Sequence, residues 1–330
     1  MNWYGLATYK TGAGELPAVR FNDNFYDLKA LVALIAADPA APRAPHAATL
    51  SLHDIFTHWT QWEAWVEYLA ERMPALIASG AAQPVPGKPR VGVPFQPRRI
   101  FGMASNFYEH ADEMGTELAP RSESQPYCFM KAETSVIAAE ESVMMPPETE
   151  KLDWEVELGV IIGKTCRHVD VEHAFDYVAG YTVFNDISAR DLNRRTDYPF
   201  KHDWFRGKSF DTFGPIGPWV VPASRIANPQ SLRMTLSVNG EMMQDGSTSE
   251  MIFSIAEQIA YLSRILTLQP GDLIATGTPD GVGMGRGVFL KAGDVMVAGI
   301  EDIGYLRNPV VTEKIEIREP APAVRVVAPA

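Results

Sequence analysis

Apolar and polar positions alternate with a period of two over Val156, Leu158, Val160 and Ile162, which predicts a β-strand. Tyr181 to Phe184 gives a second apolar strand that ends at Asp186. Met1 to Val19 is strand-like around a turn at Gly12-Ala-Gly14. Helical spacing follows at Leu28, Leu31, Val32 and Ile35 within Phe25 to Ala37. It continues from Leu52 to Ser79, with Phe56, Trp59, Trp62 and Trp65 along the stripe. Those aromatics are read as core or dimer-contact residues. After Leu232 to Val238, the pair Asn239-Gly240 marks a β-hairpin turn. Ser249 to Leu266 is amphipathic and predicts a helix. Leu268 to Thr278 reads as a turn and a strand, and Val288 to Leu306 as two strands around Lys291-Ala-Gly-Asp294. Regularly alternating strand–helix units are missing, which argues against a doubly wound sheet or a TIM barrel and for a β-rich α+β fold.

Gln83 to Pro97 holds five prolines and reads as a linker. The chain is therefore divided into a small N-terminal α/β domain with its linker, 1–95, and a main domain, 96–330. Arg307 to Ala330 becomes Pro- and Ala-rich and is read as a loosely held tail.

On a strand, Glu155 and Glu157 share one face, because side chains repeat every two residues. Two adjacent carboxylates beside an apolar run repel each other and are costly to bury. A hard divalent cation removes that cost, and oxygen-only ligands favour Mg²⁺, Ca²⁺ or Mn²⁺ over Zn²⁺. Asp186 offers a third carboxylate. The spacing alone is equally compatible with the solvent face of an edge strand. His110 and Glu113, three apart after a short apolar strand, share a helix face if Asn106 caps that helix. A carboxylate beside an imidazole orients it as a general base for water; taken alone, a surface His-Glu pair is the simpler reading. Lys131 and Lys208 are lone lysines by spacing. Gly207-Lys-Ser lacks the preceding glycine pattern of a phosphate loop, and the glycines from Gly277 onward do not fit a dinucleotide fingerprint.

The chain has 330 residues, 46% of them hydrophobic, enough for a sizeable core. A net charge of −12 argues against nucleic acid and anionic membranes as partners. Neither a signal sequence nor an apolar run of membrane-spanning length is evident. The two cysteines, Cys128 and Cys166, have no motif spacing and are read as free thiols, so the expected location is cytoplasmic.

Four motifs occur in order: Lys151-Leu-Asp-Trp-Glu-Val-Glu-Leu158, Gly180-Tyr-Thr-Val-Phe-Asn-Asp-Ile-Ser-Ala-Arg-Asp191, Gly207-Lys-Ser-Phe-Asp-Thr-Phe-Gly-Pro-Ile-Gly-Pro218 and Thr276-Gly-Thr-Pro-Asp-Gly-Val-Gly283. Together they resemble the fumarylacetoacetate hydrolase family, acylpyruvase-like bacterial members in particular, from about Arg99 to Pro309. The resemblance implies mixed β-sheets rolled around a metal site, and a homodimer. It implies Mg²⁺ or Mn²⁺ on Glu155, Glu157 and Asp186, with Ca²⁺ able to replace them in crystals. It makes His110 and Glu113 the water-activating dyad, with Lys208 and Lys131 as catalytic cations. Thr278, Asn193 and Arg190 become substrate contacts, and Thr212 a neighbour behind the metal. The stretch Gly115 to Ser124 becomes a lid. Two departures stand out: Phe107 replaces a family tyrosine, and Asn193 a family glutamine.

The implied function is hydrolysis of a carbon–carbon bond in a 1,3-dicarbonyl acid, acylpyruvate- or fumarylacetoacetate-like, through a metal-bound enolate, in the catabolism of aromatic or related compounds. Decarboxylation of an oxaloacetate-type acid, or isomerisation of a dienoic 2-oxo acid, would use the same site. A reading of another class is a non-catalytic protein that binds metal and oxo-acid. The Tyr198 to Phe205 aromatics point to a bulky acyl group.

Overall fold

A computed structural model describes residues 4–12, 14–44 and 50–314. The last sixteen residues of the proposed tail, 315–330, lie outside them. The structure is β-rich, with mixed sheets. Its largest sheet runs through Asn24–Asp27, Gly14–Phe21, Tyr4–Thr11, Gly214–Pro222, Val178–Asn185, Val156–Ile162, Leu273–Ala275, Ile100–Ala104 and Tyr127–Lys131. Most neighbours are antiparallel, while Leu273–Ala275 and Ile100–Ala104 run parallel. A second sheet has five strands: Glu241–Ser247, Arg233–Val238, Val295–Ile300, Gly304–Thr312 and Val143–Met145.

The strand predicted from Val156 to Ile162 forms over those residues and is buried throughout. Burial on both faces explains why its sequence is so uniformly apolar, with Glu157 the one charged residue within it. Opposite it, Val156 pairs with Asn185 and Glu157 with Phe184. That register puts the Glu155–Glu157 end beside Asp186, whose N–H donates to the Glu155 carbonyl at 2.9 Å.

Strands from the first 95 residues, Tyr4–Thr11, Gly14–Phe21 and Asn24–Asp27, belong to this sheet. Leu6 in Tyr4–Thr11 pairs with Val220 in Gly214–Pro222. Phe56, Trp59, Trp62 and Trp65 are buried and cluster with Ile161, Ala179, Phe184 and Leu273 of the central strands. The aromatic stripe thus fills a core on the face of the sheet away from the second sheet's apolar cluster, which gathers Val156, Leu158 and Val183 with Leu236, Met296 and Ala298.

Four local expectations need correction. Arg307 to Thr312, read as the start of a loosely held tail, instead complete the strand Gly304–Thr312, paired with Val295–Ile300 and Val143–Met145. The long helix is broken into Leu52–Thr57 and Trp59–Ala78, because His58 leaves helical geometry at ψ 33°. Asn106 does not cap Tyr108–Glu113. Its amide instead donates to the Phe253 and Thr276 carbonyls, and it accepts from the Phe253 N–H. Lys291 to Asp294 precedes the strands Val295–Ile300 and Gly304–Thr312 rather than separating two strands. The hairpin turn at Asn239-Gly240 falls where the dipeptide predicts, with positive φ at both residues. The helix Ile255–Ile265 opens on a capping box of Ser254 and Glu257.

Candidate active site

Two strand ends converge on one buried cluster of carboxylates. Oxygens of Glu155, Glu157 and Asp186 lie within 4.8 Å of one another, and all three residues are at most 4% exposed. This removes the solvent-edge reading of the two glutamates. Two lysines meet the cluster. Lys208 Nζ lies 2.7 Å from Glu155 Oε2 and 2.5 Å from Asp186 Oδ2. Lys131 Nζ lies 2.6 Å from Asp186 Oδ1 and donates to the Lys208 carbonyl. Arg190 bridges Asp153 and Glu155, through Nε at 2.7 Å and a terminal nitrogen at 2.6 Å.

Glu157 differs from its partners. Among the described residues it has no ion-pair partner, and the Gly277 N–H donates to it at 2.8 Å. Burial, then the charges of Asp186 and Glu155, push its carboxyl well above the usual carboxylate range. Burial also opposes ionisation of Glu155, but Lys208 and Arg190 outweigh it and hold that carboxyl low. The lysines diverge as well. Burial, reinforced by Lys208, lowers Lys131, whereas at Lys208 the carboxylates of Asp186 and Glu155 overcome burial and raise it. Among the described residues the cluster therefore has one buried carboxylate, Glu157, that no ion pair neutralises. A divalent cation with oxygen ligands fits that deficit, and Glu155, Glu157 and Asp186 are the residues that could hold it.

Across the cavity, His110 Nδ1 lies 2.8 Å from Glu113 Oε1. Glu113 is itself held by the Gly281 N–H at 2.9 Å. This leaves His110 Nε2 as the nitrogen free to work on a ligand, the arrangement a general base needs. His110 of the dyad and two of the carboxylates, Glu155 and Glu157, line the same cavity of about 370 Å³. Arg190, Asn193, Lys208 and Thr278 also line it, whereas Lys131 lies behind the cluster, at 4% exposure.

The remaining predicted residues are placed as follows. The Thr278 hydroxyl donates to the Val156 carbonyl and accepts from Gln244, so its hydrogen-bonding capacity is largely used within the protein. Arg190 faces the cavity but is engaged by two carboxylates. Thr212 adopts φ +72° and accepts from the Met144 N–H. Asn193 Oδ1 is buried without a hydrogen-bond partner.

Sequence reasoning missed two residues that hold the site together. Asp153 is fully buried, pairs with Arg190, and accepts the Gly283 and Met284 N–H groups. It ties the glycine-rich wall to the Glu155 strand end. Gln244, also fully buried, accepts from the Val156 N–H and donates to Thr278 and the Pro279 carbonyl. Asp153 sits inside the quoted acidic motif, so its position was visible but its role was not. Gln244 lies on a hairpin strand with no local signal.

The profile of the family described as fumarylacetoacetate (FAA) hydrolase C-terminal matches residues 99–311. The chain belongs to the fumarylacetoacetate hydrolase family. It is 44% identical, over 68% of its length and 78% of the relative's, to a 2,4-didehydro-3-deoxy-L-rhamnonate hydrolase from a Sphingomonas species. The fumarylacetoacetate hydrolase of Exiguobacterium antarcticum superposes with a TM-score of 0.76 at 29% identity, over 94% of this chain and all of that one. The fumarylpyruvate hydrolase of Pseudomonas aeruginosa, solved with Mn²⁺ and pyruvate, gives 0.60 at 35% identity over 66% of this chain and 91% of that one. The protein is thus a family enzyme with the family fold. The Exiguobacterium structure, covering 94% of this chain, extends well beyond the matched profile.

Proposed function

We propose that this protein hydrolyses the carbon–carbon bond between C3 and C4 of a 2,4-dioxo acid, an acylpyruvate, to give pyruvate and a carboxylic acid. One observation carries the reading: Glu155 and Glu157 of a carboxylate cluster suited to a hard cation line one cavity with His110, which Glu113 holds from outside it. A hydrolase needs both, whereas decarboxylation needs no attacking water. A divalent cation, Mg²⁺ or Mn²⁺, bound by Glu155, Glu157 and Asp186 supplies Lewis-acid polarisation of the dioxo group.

The chain's own residues supply the rest. Glu113 fixes the His110 ring and accepts a hydrogen bond from its Nδ1–H. His110 Nε2 takes a proton from water, and the oxygen forms a bond to C4. The C3–C4 bond breaks, its electron pair passes to C3 and the C2 oxygen, and the proton held on His110 Nε2 passes to C3 to give pyruvate. Lys208, held charged by Glu155 and Asp186, places a fixed positive charge beside the developing enolate. The fumarylpyruvate hydrolase solved with Mn²⁺ and pyruvate supports both the cation class and the product.

The test is loss of the enolate absorbance of acetylpyruvate, with and without chelator, alongside oxaloacetate. Chelator-sensitive formation of pyruvate and acetate is the expected result. Release of CO₂ from oxaloacetate, with acetylpyruvate untouched, would overturn the hydrolase reading.

A further inference from the structure

The strand Tyr127–Lys131 ends the largest sheet, paired with Ile100–Ala104. Side chains repeat every two residues, so Tyr127, Phe129 and Lys131 share one face. All three touch the short helix Trp204–Lys208. The rings of Tyr127 and Phe129 lie 5.1 and 5.2 Å from that of Trp204 at its start, the second edge-on. Lys131 Nζ donates to the Lys208 carbonyl at its end. Just beyond, the Ala132 N–H donates to the Ser209 hydroxyl at 3.1 Å. One strand face therefore holds both ends of the helix that carries Lys208.

Phe129 also meets the lysine's charge. Lys208 Nζ lies over its ring, 5.0 Å from the centre, and both residues line the cavity. Across the strand pair from Phe129 stands Gly102. A Cβ at that position would collide with the far end of the Phe129 ring, so the absence of a side chain is what lets the ring sit there. An aromatic face is negative and attracts an ammonium placed over it. Lys208 already gives hydrogen bonds to Glu155 and Asp186, two of the three its ammonium can donate. The ring attracts the charge as a whole, which leaves the third N–H for an oxygen of the substrate. A flexible four-carbon stem gains from such a guide, since the carboxylates alone draw the ammonium toward themselves.

From this arrangement, and resting on the enolate chemistry proposed above, we infer that Phe129 is a positioning residue: its ring, seated on Gly102, fixes the Lys208 ammonium where the enolate oxygen forms. It acts through Lys208 and takes no part in bond making. Gly102 is then required for the same reason, as the floor on which the ring rests.

The experiment uses Mn²⁺-loaded protein and oxalate, an anion with the planar O–C–C–O array of enolpyruvate. Calorimetry compares Phe129→Leu and Phe129→Tyr with the native protein, and Phe129→Leu with and without Lys208→Met. Phe129→Leu is expected to weaken oxalate binding about tenfold, the scale of a cation–π contact out of water, with Mn²⁺ affinity unchanged. Phe129→Tyr keeps the aromatic face and should stay within about twofold of the native protein. On top of Lys208→Met, Phe129→Leu should change oxalate affinity by less than about twofold, because the charge it guides is gone. Gly102→Ala, which keeps the ring but displaces it, should lose affinity as Phe129→Leu does. In turnover of acetylpyruvate, Phe129→Leu should lower kcat with little change in KM. Equal effects of Phe129→Leu with and without Lys208, or none in either, would overturn the assignment and leave the ring a plain wall of the cavity. Coupling in oxalate binding without acetylpyruvate turnover would instead overturn the hydrolase reading and leave the role of Phe129 standing.

Discussion

His110 Nδ1 and Glu113 Oε1 lie 2.8 Å apart on one face of a single helical turn, and the same glutamate accepts the Gly281 N–H from the glycine-rich wall. The base is therefore oriented by a residue anchored to a second part of the fold. His110→Asn should lower kcat by about 10²- to 10⁴-fold, the usual worth of a positioned general base. Glu113→Gln, which keeps the shape but not the charge, should lower it less. Both should bind divalent cations as the native protein does, and calorimetric titration with Mn²⁺ would detect a departure.

The metal-free protein should be weakened by Glu157. Its carboxyl is raised by burial and by Asp186 and Glu155, so the folded state holds a proton that the unfolded chain releases near the ordinary glutamate range. Between the ordinary and the raised value the folded state binds more protons, and stability falls as pH rises through that window. Thermal melts in chelator should show this fall. Glu157→Gln should flatten it while lowering Mn²⁺ affinity.

Cation binding should reverse that instability. A cation at a hundred times its Kd adds about 2.7 kcal/mol to the folded state. Mg²⁺ and Mn²⁺ should each raise the melting temperature in a chelator-reversible way. Zn²⁺, which favours nitrogen and sulfur ligands, should do so less effectively.

Lys208 compensates two buried acids at once. Lys208→Met removes the ammonium and leaves Glu155 and Asp186 to repel each other, at a cost of about 3–5 kcal/mol in chelator. Urea unfolding measures it. Activity should be lost even when excess cation restores stability, because the charge beside the enolate is gone.

Asp153 should act at a distance from the reacting atoms. Asp153→Asn keeps the volume but weakens the hold on Arg190 and on the Gly283 and Met284 amides. A loss of about 2–3 kcal/mol in stability is expected for a buried hydrogen-bonded charge. Urea unfolding reads the loss, and a fall in kcat with little change in Mn²⁺ affinity would mark its role as one of positioning.

Much of this was written locally. The apolar alternation from Val156 to Ile162 announces its strand, Asn239-Gly240 its hairpin, and Ser254 with Glu257 its helix start. Glu155, Glu157, Asp186 and Lys208 were candidates because they stand in motifs contiguous in the chain, and His110 with Glu113 because of their spacing. Other features depend on contacts between distant positions, and side-chain spacing along a chain carries no information about them. Register across Val156–Ile162 and Val178–Asn185 decides that Asp186 meets the two glutamates and that Glu157 alone goes uncompensated. Asn106, which looks like a helix cap, spends its amide 147 and 170 positions away because buried carbonyls there need a donor. Gln244 serves Val156 and Thr278 from a hairpin for the same reason. The chemical parts were set by sequence. Their charge balance was set by packing, since it depends on which groups exclude water from one another.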